Sequence, residues 1–260
     1  MSILKQPTRD APEIRDELLR LSHRIGSVEQ MAILGEGNVS GRIDENTIWI
    51  KASGTELGSL TANQLVEVKF APILEALSAG EAKDDEIEAL LLASRIDPHA
   101  LKPSVETLFH ALLLQLPGVS FVGHTHAICV NQLLCSPRAK EFAERRLFPD
   151  QIVYCGAESV LVPYVDPGIV LASRIDEELT KFVDKWKVTP KTILMENHGL
   201  IALGGTAKQV EAALLMAEKS ARVFVGAVSS GGPLFMDQEQ VHRIASRSDE
   251  HYRQKMIESK

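Results

Sequence analysis

Strand-like and helix-like segments follow one another along this chain without a regular strand–helix–strand rhythm, and that irregular order restricts the fold more than any other feature. It predicts a layered α/β protein with a mixed or largely antiparallel sheet. Ile14, Leu18, Leu21, Ile25 and Val28 recur at spacings of three and four, which predicts an amphipathic helix ending before Gly35. Residues 38–43 and 47–51 flank the turn-forming Asp44, Glu45 and Asn46 and read as a hairpin, with a third strand over 66–70. Asp84, Asp85, Glu86 and Glu88 are interleaved with Ile87, Leu90, Leu91 and Leu92, the pattern of a helix with one solvated face. Further on, Ser104 is placed to cap a helix over 105–116, with Glu106 in its first turn. A strand over 119–126, a helix carrying Ile128, Leu133 and Leu134, strands at 192–195 and 200–203, and a final long helix over 207–225 complete the pattern.

With 260 residues, 45% hydrophobic and 24% charged, the chain can fill one sizeable core, and no Pro/Gly/Ser-rich linker divides it. A single domain over 1–260 is expected. The net charge of -7 provides no broad basic surface, so nucleic acid and anionic membranes are poor partners, and an anionic substrate must be met by a local site. Residues 1–20 turn charged too early for a secretory signal, and no apolar run approaches the roughly 20 residues of a membrane span, so a cytoplasmic protein is expected. Cys129, Cys135 and Cys155 form no C-x-x-C pair and are odd in number, which argues against a disulfide framework and for buried free thiols.

His124 and His126 sit two apart on a predicted strand, so both imidazoles project to one side and can chelate one ion. With 8 histidines in the chain, an H-x-H triplet also arises by chance, so the pair alone is a moderate signal. His198 is the best third donor, because it stands at the junction of two strands beside Gly199, which permits close backbone approach. Three neutral imidazoles leave coordination positions open, as in a catalytic rather than a structural site.

Five blocks then carry a resemblance. Gly37-Asn38-Val39-Ser40, Ala52-Ser53-Gly54-Thr55, Pro103-Ser104-Val105-Glu106, Gly123-His124-Thr125-His126 and Asn197-His198-Gly199 occur in the order and approximate spacing of the class II aldolase and adducin family. The family includes fuculose-phosphate and rhamnulose-phosphate aldolases, and the resemblance covers roughly residues 20–225, leaving 226–260 as a C-terminal tail. The Pro-Ser-Val-Glu-Thr form and the block from Val162 to Gly168 look most like the aldolase portion of bifunctional rhamnulose-phosphate aldolase/dehydrogenases, and no second catalytic domain is expected within these 260 residues.

The resemblance implies a three-layer α/β/α fold around a predominantly antiparallel sheet, assembled as a homotetramer with active sites between subunits. It implies His124, His126 and His198 as ligands of a divalent ion, zinc first with manganese or cobalt as alternatives, and Glu106 as the acid/base. Asn38, Ser53, Gly54 and Ser104 fall on the substrate-phosphate positions, and Tyr154 is the nearest match to a tyrosine supplied across the interface. Tyr164, in its Pro-Tyr context, reads as a turn-packing residue. Val105 replaces a second serine of the fuculose-phosphate aldolases and so removes a hydroxyl donor, while Glu36 adds a negative charge beside the Gly-Asn block that Lys51 could offset. A hydroxyketone can chelate such an ion, which would stabilise the enediolate formed when a carbon–carbon bond breaks. Retro-aldol cleavage of a ketose phosphate or related sugar is therefore the leading expectation. Decarboxylation, dehydration or epimerisation on the same metal site is the alternative, and a non-catalytic adducin-like interaction domain the third reading.

Overall fold

The computed structural model describes residues 10–80 and 83–247. Their order is α1 (Ala11–Gly26), β1 (Asn38–Arg42), β2 (Thr47–Lys51), β3 (Leu65–Lys69), α2 (Phe70–Ala79), α3 (Asp84–Ser94), α4 (Thr107–Leu113), β4 (Phe121–Thr125), α5 (Ile128–Leu134), α6 (Ala139–Glu144), α7 (Pro149–Cys155), β5 (Val160–Val162), α8 (Ile169–Trp186), β6 (Thr192–Met195), β7 (Gly199–Gly204), α9 (Ala207–Val228) and α10 (Gln238–Ala245). The seven strands form one sheet in the order β3-β2-β1-β4-β7-β6-β5. Only the β5–β6 pair is parallel.

Strands β4, β6 and β7 are buried at every position, so both faces of the sheet need a cover. Alternation divides their side chains. Leu194, Leu200 and Ala202 join Val39 and Phe121 in a core closed by α1, α5 and α9. Ile193, Met195, Ile201 and Leu203 join Ile48, Ile50, Val68 and Val122 in a second core closed by α2, α3, α4 and α8. The result is the α/β/α sandwich with a mostly antiparallel sheet that the resemblance implies.

Differences from the expected elements lie mainly at boundaries. The first helix stops at Gly26, where the Ser27 N–H bonds back to the His23 carbonyl. Phe70 opens α2 rather than closing β3. Ser104 does not cap α4: residues 104–107 make a turn in which Thr107 N–H donates to the Ser104 carbonyl at 3.0 Å, and the helix begins at Thr107 with Glu106 as its preceding residue. The helix over 207–225 extends to Val228 and is followed by α10, which packs Val241 and Ile244 against Ile152 and Val153 of α7. The proposed tail is thus folded back at least to Ala245. Residues 1–9, part of the stretch read as no secretory signal, and 248–260 lie outside the described residues.

The three cysteines are free, but only Cys155 is buried. Among the described residues no helix is long and apolar enough to cross a membrane.

Candidate metal centre

The centre forms beneath α4, where β1 begins and the antiparallel β4 ends. Asn38 on β1 pairs with His124 on β4, and because side chains alternate, Asn38, Ser40, Val122 and His124 all face α4. That helix lays His110 over Ser40 and brings Glu106, just before its first turn, over His124. His126 follows the last residue of β4. His198 sits in the three-residue link between Met195 and Gly199, where Asn197 adopts a positive φ of 54°, a conformation asparagine tolerates. The link is tied down from α5, where Asn131 Nδ2 donates to the His198 carbonyl at 3.0 Å. Gly199 is required by close approach: a Cβ there would come within 2.5 Å of the Thr125 carbonyl oxygen and 2.9 Å of the His124 ring.

Donor atoms of Glu106, His124, His126 and His198 all lie within 4.8 Å of one another. His124 Nε2 is 3.0 Å from His126 Nε2, and Glu106 Oε1 is 3.1 Å from His198 Nε2 and 3.4 Å from His124 Nε2. The three rings meet nearly edge to face with centroids 4.9, 5.0 and 5.1 Å apart. His124 Nδ1 donates to the Leu200 carbonyl at 3.0 Å, which leaves its Nε2 lone pair facing the cluster. Glu36 Oε1 lies 3.6 Å from His126 Nδ1, so the carboxylate that looked like a hazard for phosphate turns toward this imidazole. The arrangement suits a divalent cation: nitrogen lone pairs and a carboxylate oxygen converge on one small volume, and the side chains behind them fix their direction.

Electrostatics agree. Burial pushes His124 down to about 4, against the opposing pull of Glu106. Burial also lowers His126. Neutral imidazole is the form that ligates a metal. For Glu106 burial works upward, but His124, His198 and the Asn38 hydrogen bond outweigh it and hold the carboxyl well below the usual range. It is ionised at neutral pH.

The two segments that carry Ser53, Gly54 and Ser104 meet in the structure. Ala52 and Pro103 form an isolated antiparallel bridge, flanked by Ser53 N–H donating to the Lys102 carbonyl at 2.9 Å and Ser104 N–H to the Lys51 carbonyl at 3.4 Å, which joins the Ser-Gly turn to the Pro-Ser segment that leads into Glu106. Gly54 holds a φ of +73°, which only glycine adopts freely. Ser104 Oγ accepts Glu106 N–H at 3.3 Å, leaving its own hydroxyl proton to donate. Asn38 is placed differently: its side chain is bonded to Glu106 and His110 rather than turned toward that turn.

Lys51 is buried and not solvated. Its Nζ donates to the carbonyls of Thr55 at 2.5 Å, Gly35 at 3.4 Å and Ala52 at 3.5 Å, so it straps the Gly-Asn loop to the Ser-Gly turn. Burial pushes its ammonium down to about 8 from an ordinary 10.5, with Glu106 opposing. Between those two values the unfolded chain holds more protons at this residue than the folded chain, so stability rises with pH through the window. Denaturation curves at the two ends of that window should show the rise in the parent and its loss in Lys51→Met; parallel curves for both proteins would contradict it.

Tyr154 on α7 lines a separate cavity with Leu203, Gly204, Gly205 and Gln209. That is the far end of β7, about 17 Å along the strand from Gly199 at 3.3–3.4 Å per residue. Within one chain it does not join the cluster. Tyr164 is 56% exposed, so it is a surface residue and not a packed one.

Fold and centre together define an α/β/α protein with a cluster of three histidines and one glutamate able to hold a metal ion. Residues 16–225 match the model of the class II aldolase and adducin N-terminal domain, and the chain belongs to that family. It is similar to an uncharacterized oxidoreductase, YuxG, of Bacillus subtilis (strain 168), at 30% identity over 205 residues, which is 76% of this chain and 27% of that protein. It is also similar to a 3-oxo-tetronate 4-phosphate decarboxylase of Haemophilus influenzae, at 26% identity over 171 residues, 65% of this chain and 67% of the relative. Among solved structures, the N-terminal class II aldolase domain of a conserved protein from Thermoplasma acidophilum superposes with a TM-score of 0.65 at 26% identity, covering 86% of this chain and 99% of that one.

Proposed function

We propose that this chain is a metal-dependent carbon–carbon lyase that cleaves a ketose phosphate by a reversible retro-aldol reaction. In this reading His124, His126 and His198 hold the divalent ion, with zinc the first choice and manganese or cobalt next, because imidazoles alone do not select among them. The observation that carries it is the placement of one ionised carboxylate oxygen, Glu106 Oε1, against two imidazole Nε2 atoms in a largely buried cluster. The ion, when bound, supplies Lewis-acid polarisation of a substrate carbonyl.

Everything else falls to the chain's own side chains. Glu106 Oε1 takes a proton from, or returns it to, the carbon next to that carbonyl, within a hydrogen bond's reach of the cluster. Ser53, Gly54 and Ser104 present hydroxyl and backbone donors to the anionic end of the substrate. Phe109 stands edge-on to His124 at 5.8 Å and walls that side with carbon. Tyr154 would exchange a proton with the aldehyde oxygen on a neighbouring subunit of a homotetramer, since its own centre is out of reach.

A second reading, decarboxylation of a 3-oxo sugar acid phosphate, has two supports. One is the name of the Haemophilus relative. The other is the position of Tyr154, because loss of carbon dioxide leaves no aldehyde oxygen to protonate. Incubating metal-loaded protein with ketose 1-phosphates and with 3-oxo acid phosphates separates the two. Dihydroxyacetone phosphate plus an aldehyde is the expected product pair; carbon dioxide alone would establish the second reading, and neither product from a metal-loaded protein would overturn both.

A further inference from the structure

We propose that His110, backed by Ser40, is a positioning residue that holds the Asn38 amide in the one orientation able to donate to Glu106. The proposal rests on the reading of Glu106 as the acid/base group. Four side chains form a continuous hydrogen-bonded line. Ser40 Oγ lies 2.6 Å from His110 Nδ1, His110 Nε2 is bonded to Asn38 Oδ1, and Asn38 Nδ2 is bonded to Glu106 Oε2.

The direction of every bond follows from the last one. An amide NH2 only donates, so Glu106 Oε2 accepts from Asn38 Nδ2, and Asn38 turns its oxygen to His110. That oxygen only accepts, so the His110 proton must sit on Nε2. Nδ1 of the neutral ring is then an acceptor, and the Ser40 hydroxyl donates to it. His110 and Ser40 have no exposed surface, and Phe109 stacks on the imidazole at 4.8 Å. Burial pushes His110 down to about 3, which keeps the ring neutral and the line one-way.

The consequence is a division of labour within Glu106. Oε2 is anchored by Asn38, and Oε1 is left facing His124 and His198 for proton transfer. If the Asn38 amide flipped, its carbonyl would face the carboxylate and push it away. Such a shift matters, since misplacing a reacting group by an ångström can cost about 100-fold in rate.

The metal-loaded protein labelled with 15N-histidine tests the first half. Imidazole two-bond correlations should show His110 as the neutral Nε2–H tautomer at neutral pH; an Nδ1–H ring or an imidazolium would overturn the proposal. The second half compares His110→Phe and His110→Gln, with Glu106→Gln beside them, by exchange of a hydroxymethyl proton of dihydroxyacetone phosphate with deuterated solvent. Glutamine can put an amide N–H near the Nε2 position, and phenylalanine cannot. The phenylalanine variant should lose about 10–100-fold in exchange rate with bound metal and KM unchanged, and glutamine should restore most of it. An unimpaired phenylalanine variant, or equal loss in both, overturns the positioning role. Full activity of Glu106→Gln instead removes the acid/base reading. Should the parent show no exchange, the structure of the metal-loaded phenylalanine variant decides, and an Asn38–Glu106 pair unchanged in orientation counts against the proposal.

Discussion

Glu106→Gln is expected to fold, to keep its ion and to lose at least about 100-fold in turnover, at the low end of typical acid/base contributions. The amide is close to isosteric, so Asn38 and the histidines still have a partner, but it cannot accept and return a proton at neutral pH. Circular dichroism, metal analysis and single-turnover rates on one preparation check the three parts. A variant as active as the parent would move the acid/base role to another group. Loss of the ion together with activity would make Glu106 an obligatory ligand, which its 3.1 and 3.4 Å distances to the imidazoles make a pointed comparison.

An effect of similar size is expected at the histidines. His124→Ala, His126→Ala and His198→Ala should each lower metal affinity by more than about 100-fold, because even the partners behind a ligand typically cost 10–100-fold. His124 should be the most damaging of the three. It has no exposed surface, its Nδ1 is anchored to Leu200, and it contacts both Glu106 and His126. Elemental analysis after chelator competition measures this directly, and undiminished loading in all three variants would remove the metal assignment.

How much of this was readable beforehand depended on whether a feature is local. His124 and His126 followed from the period of two in the strand expected over 119–126, although β4 stops at Thr125 and His126 is the next residue, and His198 from a glycine between two strands, because both signals lie within a few residues. The layered α/β class with a largely antiparallel sheet followed from the irregular order of elements, and the α/β/α sandwich from the family resemblance. Helix α8 carries a local mark of the same kind, since Ala172, Ile175, Leu179 and Phe182 recur at spacings of three and four, and the sequence analysis assigned no helix there. Lys51 and His110 were not legible in the same way. A lysine at the end of a strand and a histidine on an apolar helical face carry no local mark of what surrounds them; the carbonyls of Gly35 and Thr55, and the Ser40 and Asn38 side chains, reach them only in the folded chain. Ser104 misled for a related reason, since the turn at 104–107 moved the start of α4 and left Glu106 free to point into the centre.

The central claim is that Glu106 moves a proton on a substrate carbon beside this cluster. Proton exchange at the hydroxymethyl carbon of dihydroxyacetone phosphate tests it most directly, because the measurement needs neither the second substrate nor the neighbouring tyrosine. Metal-loaded parent protein in deuterated water should replace one hydroxymethyl proton, and Glu106→Gln and the metal-stripped parent should not. A folded, metal-loaded parent that binds the compound without exchanging it, or a Glu106→Gln variant that exchanges at the parent rate, would contradict the account.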